Sequence, residues 1–447
     1  NGADGTISVA GTNPRFNNIT VDGISMNDDF GLNMTGYPTT RSPISLDAID
    51  QIIVDTSPFK AKDSGFQGAK INAVTKSGTN EVKGSFFYEF QNDSLAGKAP
   101  KATSGILNGD KAALDFDEKT FGTTLGGAIV EDKLFYFVSY EKFKGETTGW
   151  GPSGGTGSFV NTTTASVTQY EELKRIASEV YGVDVGEYAV NPETEEEKLL
   201  MKLDWNINDS QRAAFTYQYS DGNQINNTTD STNELKLSSH WYDKNESLES
   251  YSFKLYSDWT SEFSSQFSLT YQDNATDQTP GNKLVGDVQI YPNYAADRNT
   301  SISFGADNSR HANDLDKKTI VVDWDADYLL DDHKISFGYN FKRLDIYNEF
   351  VQNSLGVWVF RSMADFELGN AYSFRYNNSP TLNTKDAAVS FVRDEHALYV
   401  HDEWAATESL LVDFGVRYER LASDDSPVSN PDFIAATGYN NTENLDG

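Results

Sequence analysis

Cysteine is absent from the 447 residues, which excludes a disulfide scaffold, a thiolate metal site and a cysteine nucleophile. Long apolar runs are absent too. Nowhere do about 18 apolar residues follow one another, so there is no transmembrane helix. Basic residues are scarce: Lys and Arg total 36 against 67 Asp and Glu, a net charge of −31, which argues against a nucleic-acid binder. The five histidines, His240, His311, His333, His396 and His401, lie in or beside expected loops and turns, with no metal-ligand spacing. No HExxH, G-x-S-x-G, P-loop or Rossmann pattern occurs, so no catalytic residue, metal set or cofactor site is expected. Asn1 is followed by neither a basic n-region nor an apolar h-region, and Asn444-Leu445-Asp446-Gly447 carries no targeting signal, so neither end reads as a leader or address.

Aromatics, by contrast, are abundant at 13%, with 23 Tyr and 27 Phe, while apolar residues as a whole reach only 38%. That balance suits strands that are apolar on one face. Period-2 alternation predicts eleven strands, over 84–92, 119–130, 134–143, 197–206, 211–220, 250–259, 263–272, 318–328, 334–343, 396–405 and 409–419. The gaps alternate between short (131–133, 207–210, 260–262, 329–333, 406–408) and long (93–118, 144–196, 221–249, 273–317, 344–395). An up-and-down antiparallel meander with tight turns at one end and long loops at the other produces this directly, which is the pattern of a transmembrane β-barrel.

The chemistry of the two faces supports lipid on one side. One face carries Tyr251, Phe253 and Leu255, then Phe267, Leu269 and Tyr271, then Ile320, Val322 and Tyr328, then Phe337, Tyr339 and Phe341. The other carries Lys254, Asp258, Asp323, Asp325, Asp327, Lys342, Asp413, Arg417 and Glu419, which only water or a polar filling can accommodate. Trp205, Trp259, Trp324 and Trp404 each precede a short turn and read as a periplasmic aromatic girdle at one level. Two features resist the pattern: the segment from Leu134 to Tyr140 is apolar on both faces, and Asp402 interrupts an outward face between Val400 and Trp404.

Residues 1–83 read as a small α+β domain placed before the barrel of residues 84–447. Ser45–Val54 is expected to form a short helix and then a strand, and Ala69–Lys76 another strand, with a turn at Ser77–Asn80. In the second long loop Thr168 caps an expected helix, with Glu171 completing a capping box, an apolar face of Tyr170, Leu173, Ile176, Ala177 and Val180, and Gly182 at its end. This helix is expected to fold onto its own loop.

Three segments carry a resemblance. Ile19-Thr20-Val21-Asp22-Gly23, then Leu46-Asp47-Ala48-Ile49-Asp50-Gln51-Ile52-Ile53-Val54, then Gly65-Phe66-Gln67-Gly68-Ala69-Lys70-Ile71-Asn72-Ala73-Val74-Thr75-Lys76-Ser77-Gly78-Thr79-Asn80 resemble the plug of TonB-dependent outer-membrane receptors. The wording is most similar to the Oar-like branch. Lys70 departs from the family's usual small or apolar residue. The resemblance implies a barrel of about 22 strands with the plug in its lumen. It also implies coupling to TonB through a segment outside this sequence, and the outer membrane of a Gram-negative bacterium as the location. Outer-membrane lipid and lipopolysaccharide are implied partners, with a surface lipoprotein or other outer-membrane protein as a further candidate. Eleven strands cannot close a barrel, so the sequence is expected to be an internal piece of a longer protein.

On this footing the expected function is ligand-gated, TonB-energised transport without an enzyme activity, of a peptide, a glycan or a metal chelate, or export of surface proteins. An adhesive or structural surface protein anchored by the barrel is the alternative, and a soluble acidic carbohydrate-binding β protein the third reading. Ligand contacts are sought at the acidic tip Asn27, Asp28, Asp29 and Phe30 and at the loop tryptophans Trp150, Trp241 and Trp358. The lumen-facing Asp323, Asp325 and Asp327 would bind Ca²⁺ or a cationic substrate, or else pair with the plug, and the second reading is preferred. The charge of −31 suits a marine or salt-tolerant source, because the screening length falls to about 3 Å at 1 M salt.

Overall fold

The computed structural model describes residues 13–440 except 57–59, 66–67, 97–115, 157–158, 160 and 230, and in addition Val9, Gly11 and Thr442. Phe66 and Gln67, most of the first long loop and Asn444–Gly447 therefore lie outside the described residues. Among the rest, one sheet of 11 strands dominates. Its strands are β1 (Lys83–Asn92), β2 (Asp117–Val130), β3 (Leu134–Glu146), β4 (Glu193–Asn208), β5 (Gln211–Asn226), β6 (Tyr242–Asp258), β7 (Phe263–Pro280), β8 (Asn313–Leu330), β9 (His333–Phe350), β10 (Val389–Thr407) and β11 (Leu410–Ala422). Each pairs antiparallel with its sequence neighbour, so the sheet is an up-and-down wall.

The strands run further into the loops than alternation suggests. β6 begins at Tyr242 instead of 250, β7 continues to Pro280 instead of 272, and β9 reaches Phe350 instead of 343. The reason is chemical. Toward the loop end the outward positions of β6 become Glu249, Ser247, Asn245 and Asp243, so both faces are polar and the alternation disappears while pairing continues. About 10 tilted residues span the hydrocarbon, so strands of 16 to 19 residues project well beyond it.

Outward side chains such as Phe253, Leu269, Trp324, Leu398 and Val400 are exposed on the wall, whereas much of the opposite face of the inner strands is covered. A four-stranded plug sheet lies against it, with strands in the order Ile24–Ser25, Asn18–Val21, Lys70–Thr75 and Ile49–Asp55. The expected helix at Ser45 is a single 3-10 turn, Leu46–Ala48, capped by the Ser45 hydroxyl. Lys70, the departure noted above, forms an ion pair with Asp63 within the plug. Ile19, Val21, Ile24, Met26, Ile44 and Ala48 share one core with Phe137, Leu200 and Leu248 of the wall. This explains why β3 is apolar on both faces: its inward Phe137 meets the plug. Gly78 follows the plug so close to the wall that a Cβ there would stand 2.3 Å from the Tyr136 carbonyl oxygen and 2.5 Å from that of Gly127.

Asp402 is explained as well. On the outward face His333 pairs with Trp404 across β9 and β10. Its Nδ1 lies 2.8 Å from the Asp402 carboxylate, and its ring stacks on Trp404 at 5.5 Å. The carboxylate is hydrogen-bonded beside a turn, away from the hydrocarbon centre. Replacing His333→Leu is expected to cost about 1–3 kcal/mol by stranding that partly buried carboxylate. A urea titration in detergent checks this, and an unchanged midpoint would contradict it.

The girdle needs one correction. Trp205 and Trp404 lie three residues inside the ends of their strands and Trp259 just past one. Trp324 lies six residues inside β8, which ends at Leu330, about 20 Å of strand from its end. It sits midway along the apolar run Ile320, Val322, Trp324, Ala326 and Tyr328 and belongs to the lipid-facing band. All four indoles are exposed on the wall.

Candidate functional site

The plug is seated on the wall by polar contacts that begin at a turn. Asp22 and Gly23 both have positive φ, 48° and 78°, as a two-residue hairpin of mirror-image type requires. The Asp22 carboxylate accepts from the Thr75 amide at 2.8 Å and the Thr75 hydroxyl at 2.6 Å. Lys202 from β4 stands 3.5 Å from the same carboxylate and donates to Thr75 at 3.1 Å. Lys254 from β6 donates to the Asp22 carbonyl. Two wall lysines thus clasp one plug turn.

Nearer the loop end, Asn33 Nδ2 donates to Glu246 at 2.8 Å and Lys244 donates to Asn33 Oδ1 at 2.6 Å. Thr40 donates to the other Glu246 oxygen at 2.6 Å. Arg41 reaches Glu196 at 3.2 Å. On the far side Lys60 donates to Glu403 at 2.7 Å, and Arg417 donates to the Ser64 hydroxyl at 3.2 Å. The inward charges that sequence alone leaves unexplained on Lys254, Lys342 and Arg417 are therefore plug contacts.

Between plug and wall lies a cleft of about 1290 Å³, open to solvent and lined by Asp29 and Asn27 of the plug and by Lys254, Asp323 and Asp325 of the wall. The acidic tip is used up by structure. Asn27 Oδ1 accepts from the Ile19 amide at 2.8 Å. Asp28 accepts from the amides of Phe30, Gly31 and Asn33 at 3.1, 2.9 and 2.7 Å. Asp29 pairs with Lys317 at 2.7 Å and Lys342 at 3.8 Å. Burial by itself would raise the Asp29 carboxyl, but Lys317, Lys342 and Arg393 outweigh it and hold it below its ordinary value. Phe30 is exposed at this tip.

The preferred reading of the aspartate row, pairing with the plug, is not what the structure holds. Asp323 accepts from Asn340 at 2.9 Å and Ser268 at 3.2 Å, Asp325 from the Tyr399 hydroxyl, and Asp327 from Ser336 at 2.6 Å. Asn340, Ser268 and Ser336 sit on the strands next to β8 and Tyr399 on β10, one strand further, so the row stitches the wall and lines the cleft. Among the described residues no cluster of His, Asp and Glu has metal-binding geometry.

The long loops do not stand apart. Four of them build a module with its own core. Its five-stranded sheet has the order Glu234–Lys236, Ser301–Phe304, Asp287–Ile290, Val357–Phe360 and Ser373–Arg375. Helices α1 (Val167–Tyr181) and α2 (Met363–Glu367) pack on it around Leu235, Ile290, Ile302, Phe304 and Phe360. Helix α1 was expected to fold onto its own loop; it also packs against three others.

Its cap is Ser166, which forms a reciprocal box with Gln169, in place of Thr168 and Glu171, and Val180 is exposed instead of sharing the buried face. Alternation at Thr163 and Ala165 carries the preceding strand up to Ser166, which fixes the start one turn edge earlier. Ser166→Ala is expected to cost about 1 kcal/mol of helix stability and Thr168→Ala close to nothing. Hydrogen exchange over the first turn of α1 tests it, and equal effects would refute the assignment. Burial and the Glu187 carboxylate push the Tyr170 hydroxyl up to about 12, so it stays a donor at any ordinary pH.

Trp241 is 3% exposed and donates to the Lys236 carbonyl at 3.1 Å, so it is a core residue and cannot present a ligand platform. Trp358 packs on the module core and on Phe374 at 5.0 Å, and Trp150 is half-buried in a two-stranded ribbon. The three rings do not form one surface. A signal for the module was present in the sequence: Asp287-Val288-Gln289-Ile290, Ser301-Ile302-Ser303-Phe304 and Val357-Trp358-Val359-Phe360 each alternate or run apolar, but at four residues apiece they are too short to stand out.

Comparison with known proteins agrees with this architecture. An outer membrane beta barrel domain family matches residues 74–430. The TonB-dependent transporter Oar of Myxococcus xanthus is 32% identical over 137 residues, 30% of this chain and 12% of that protein. Among solved structures, the outer membrane transporter YddB from Escherichia coli superposes with a TM-score of 0.62 at 10% identity, over 93% of this chain and 50% of that one. The siderophore receptor PirA from Pseudomonas aeruginosa gives 0.53 at 13% identity, again over 93% and 50%. The chain thus spans about half the length of these structures. Such low identities speak to the fold alone, and the relatives are transporters and receptors, not enzymes. An outward apolar wall, a polar lumen face closed over by a plug, and a family match across most of its length together mean that the chain belongs to the outer membrane beta barrel domain family.

Proposed function

We propose that the chain supplies the plug and the first half of the barrel of a TonB-dependent outer-membrane transporter. The observation that carries this reading is the plug itself, held against the wall by polar contacts of Asp22, Asn33, Arg41 and Lys60 around one small shared apolar core. Polar contacts can be exchanged for water when the plug moves, which suits a gate. The 32% identity to the Oar transporter supports the same reading. A closed barrel would take about 22 strands, and coupling would run through a TonB-binding segment outside these residues. The work comes from the inner membrane, so the chain needs no cofactor. The substrate is a peptide, glycan, metal chelate or exported protein, and a salt-rich habitat remains the reading of the charge of −31.

An adhesive anchor is the second reading, favoured by one observation: the loop module has a sheet and a core of its own, more mass than a gate requires. The soluble reading is overturned by the family match and the outward apolar wall. The deciding experiment isolates the full-length protein, identifies its bound molecule by mass spectrometry, and follows uptake of that molecule in cells with and without TonB. Loss of uptake with adhesion intact is the expected result. Uptake that persists without TonB, or adhesion that disappears with it, would overturn the transporter reading.

A further inference from the structure

Three stretches of the loop module are laced together by backbone hydrogen bonds. The Tyr291 amide donates to the Phe360 carbonyl at 2.9 Å, the Tyr294 amide to that of Arg361 at 3.2 Å, and the Tyr372 amide to that of Val359 at 2.8 Å. They hold the Arg361 guanidinium 3.2 Å over the Tyr372 ring and 4.5 Å from the Tyr294 ring. Arg298 lies 5.5 Å from Tyr294, and Tyr291 meets Tyr294 edge-on at 5.4 Å. Tyr372 is 59% exposed.

Neither arginine has an ion-pair partner among the described residues, in a chain with 67 acidic side chains. The carboxylates next to them in sequence are engaged elsewhere. Asp297 accepts from the Thr300 hydroxyl at 2.5 Å and the Asn299 amide at 2.9 Å. Asp365 accepts from the Ser362 hydroxyl at 2.7 Å. Arg375, on the adjoining edge strand, is also exposed and lacks an ion pair.

A guanidinium resting over a ring face, with no ion-pair partner, has N–H groups available for a two-point grip on a carboxylate. The amide lacing means the arrangement exists before a ligand arrives, which reduces the ordering cost of binding. We propose that this arginine–tyrosine platform binds an acidic polysaccharide, a polymer of pyranose rings bearing carboxylates. The apolar C–H face of a sugar ring matches the open face of Tyr372. Two arginines within reach of the same Tyr294 ring match charges that recur along a polymer. An extended acidic peptide fits less well, because it would gain its affinity from main-chain pairing at the sheet edge and Ser373–Arg375 offers only three residues. The platform lies outside the plug–wall contacts, and the inference does not depend on transport, since it holds equally for an anchor.

The test uses the full-length protein in detergent, with calorimetric titration of three probes: oligogalacturonate, an uncharged glucan oligomer of equal length, and poly-glutamate. Oligogalacturonate alone is expected to bind, more weakly as salt screens the arginines. Arg361→Gln is expected to weaken it about tenfold or more, and Arg361→Lys to recover only part, since an ammonium keeps the charge but not the fork. Tyr372→Ala, an exposed change, should weaken it with unaltered heat-modifiable gel migration. No binding of oligogalacturonate, equal binding of the uncharged glucan, tighter binding of poly-glutamate, or an Arg361→Gln variant that binds normally would each overturn the proposal.

Discussion

Replacing Asp22→Ala is expected to loosen the plug while leaving the wall intact. The substitution removes the acceptor for the Thr75 amide and hydroxyl and leaves Lys202 without its carboxylate. Side-chain exposures of 10% and 14% for Lys202 and Asp22 mark the pair as largely withdrawn from water. Breaking one partner of a buried ion pair costs about 3–5 kcal/mol, chiefly from the charge left behind. Alanine also tolerates the positive φ of 48° less well than Asp. Asp22→Asn keeps the left-handed backbone and one acceptor oxygen, and should cost markedly less. Hydrogen exchange over Ile19–Met26 and Ile71–Thr75 reads the effect directly, and single-channel recording in a planar bilayer reads its consequence as leak. If Asp22→Ala exchanged no faster than the parent there, the clasp would not be what holds the plug.

The second large effect contrasts two adjacent residues. Val322 points outward between Leu269 and Phe341, and Val321 points inward and lines the cleft. Val322→Arg places a guanidinium in the middle of the lipid-facing band and is expected to cost about 2–4 kcal/mol. Val321→Arg extends the same side chain into the wet cleft, where nearby Asp323 and Asp325 favour a cation, and its cost should fall within about 1 kcal/mol. The comparison is made by urea titration of the full-length protein folded in lipid vesicles. Equal costs for the two variants, or a larger cost for Val321→Arg, would remove the distinction between a lipid face and a lumen face on which the architecture rests.

Much of that architecture is legible in the sequence where one physical constraint acts alone. Hydrocarbon accepts no charge, so Phe267, Val322 and Phe337 alternate with polar partners and reveal the strands. The signal fades where two environments overlap. β3 is apolar on both faces because lipid lies outside it and the plug core touches Phe137. The upper part of β6 is largely polar on both faces because its outward side has left the hydrocarbon and its inward Lys244 and Glu246 meet Asn33 and Thr40 of the plug. Asp402 is anomalous in the sequence because its hydrogen-bond partner, His333, is 69 residues away.

By itself the sequence determined that eleven strands pair in chain order and which of their faces is apolar, because each is encoded by near neighbours along the chain. Tertiary structure alone decided which charges meet. It gave Asp22 to Lys202 and Asp29 to Lys317, and turned Asp323, Asp325 and Asp327 toward other strands of the wall instead of the plug. It also buried Trp241 and gathered four separate loops into one core. Those choices depend on which distant segments come to share a few ångströms of space, and a pattern two residues in period carries no record of that.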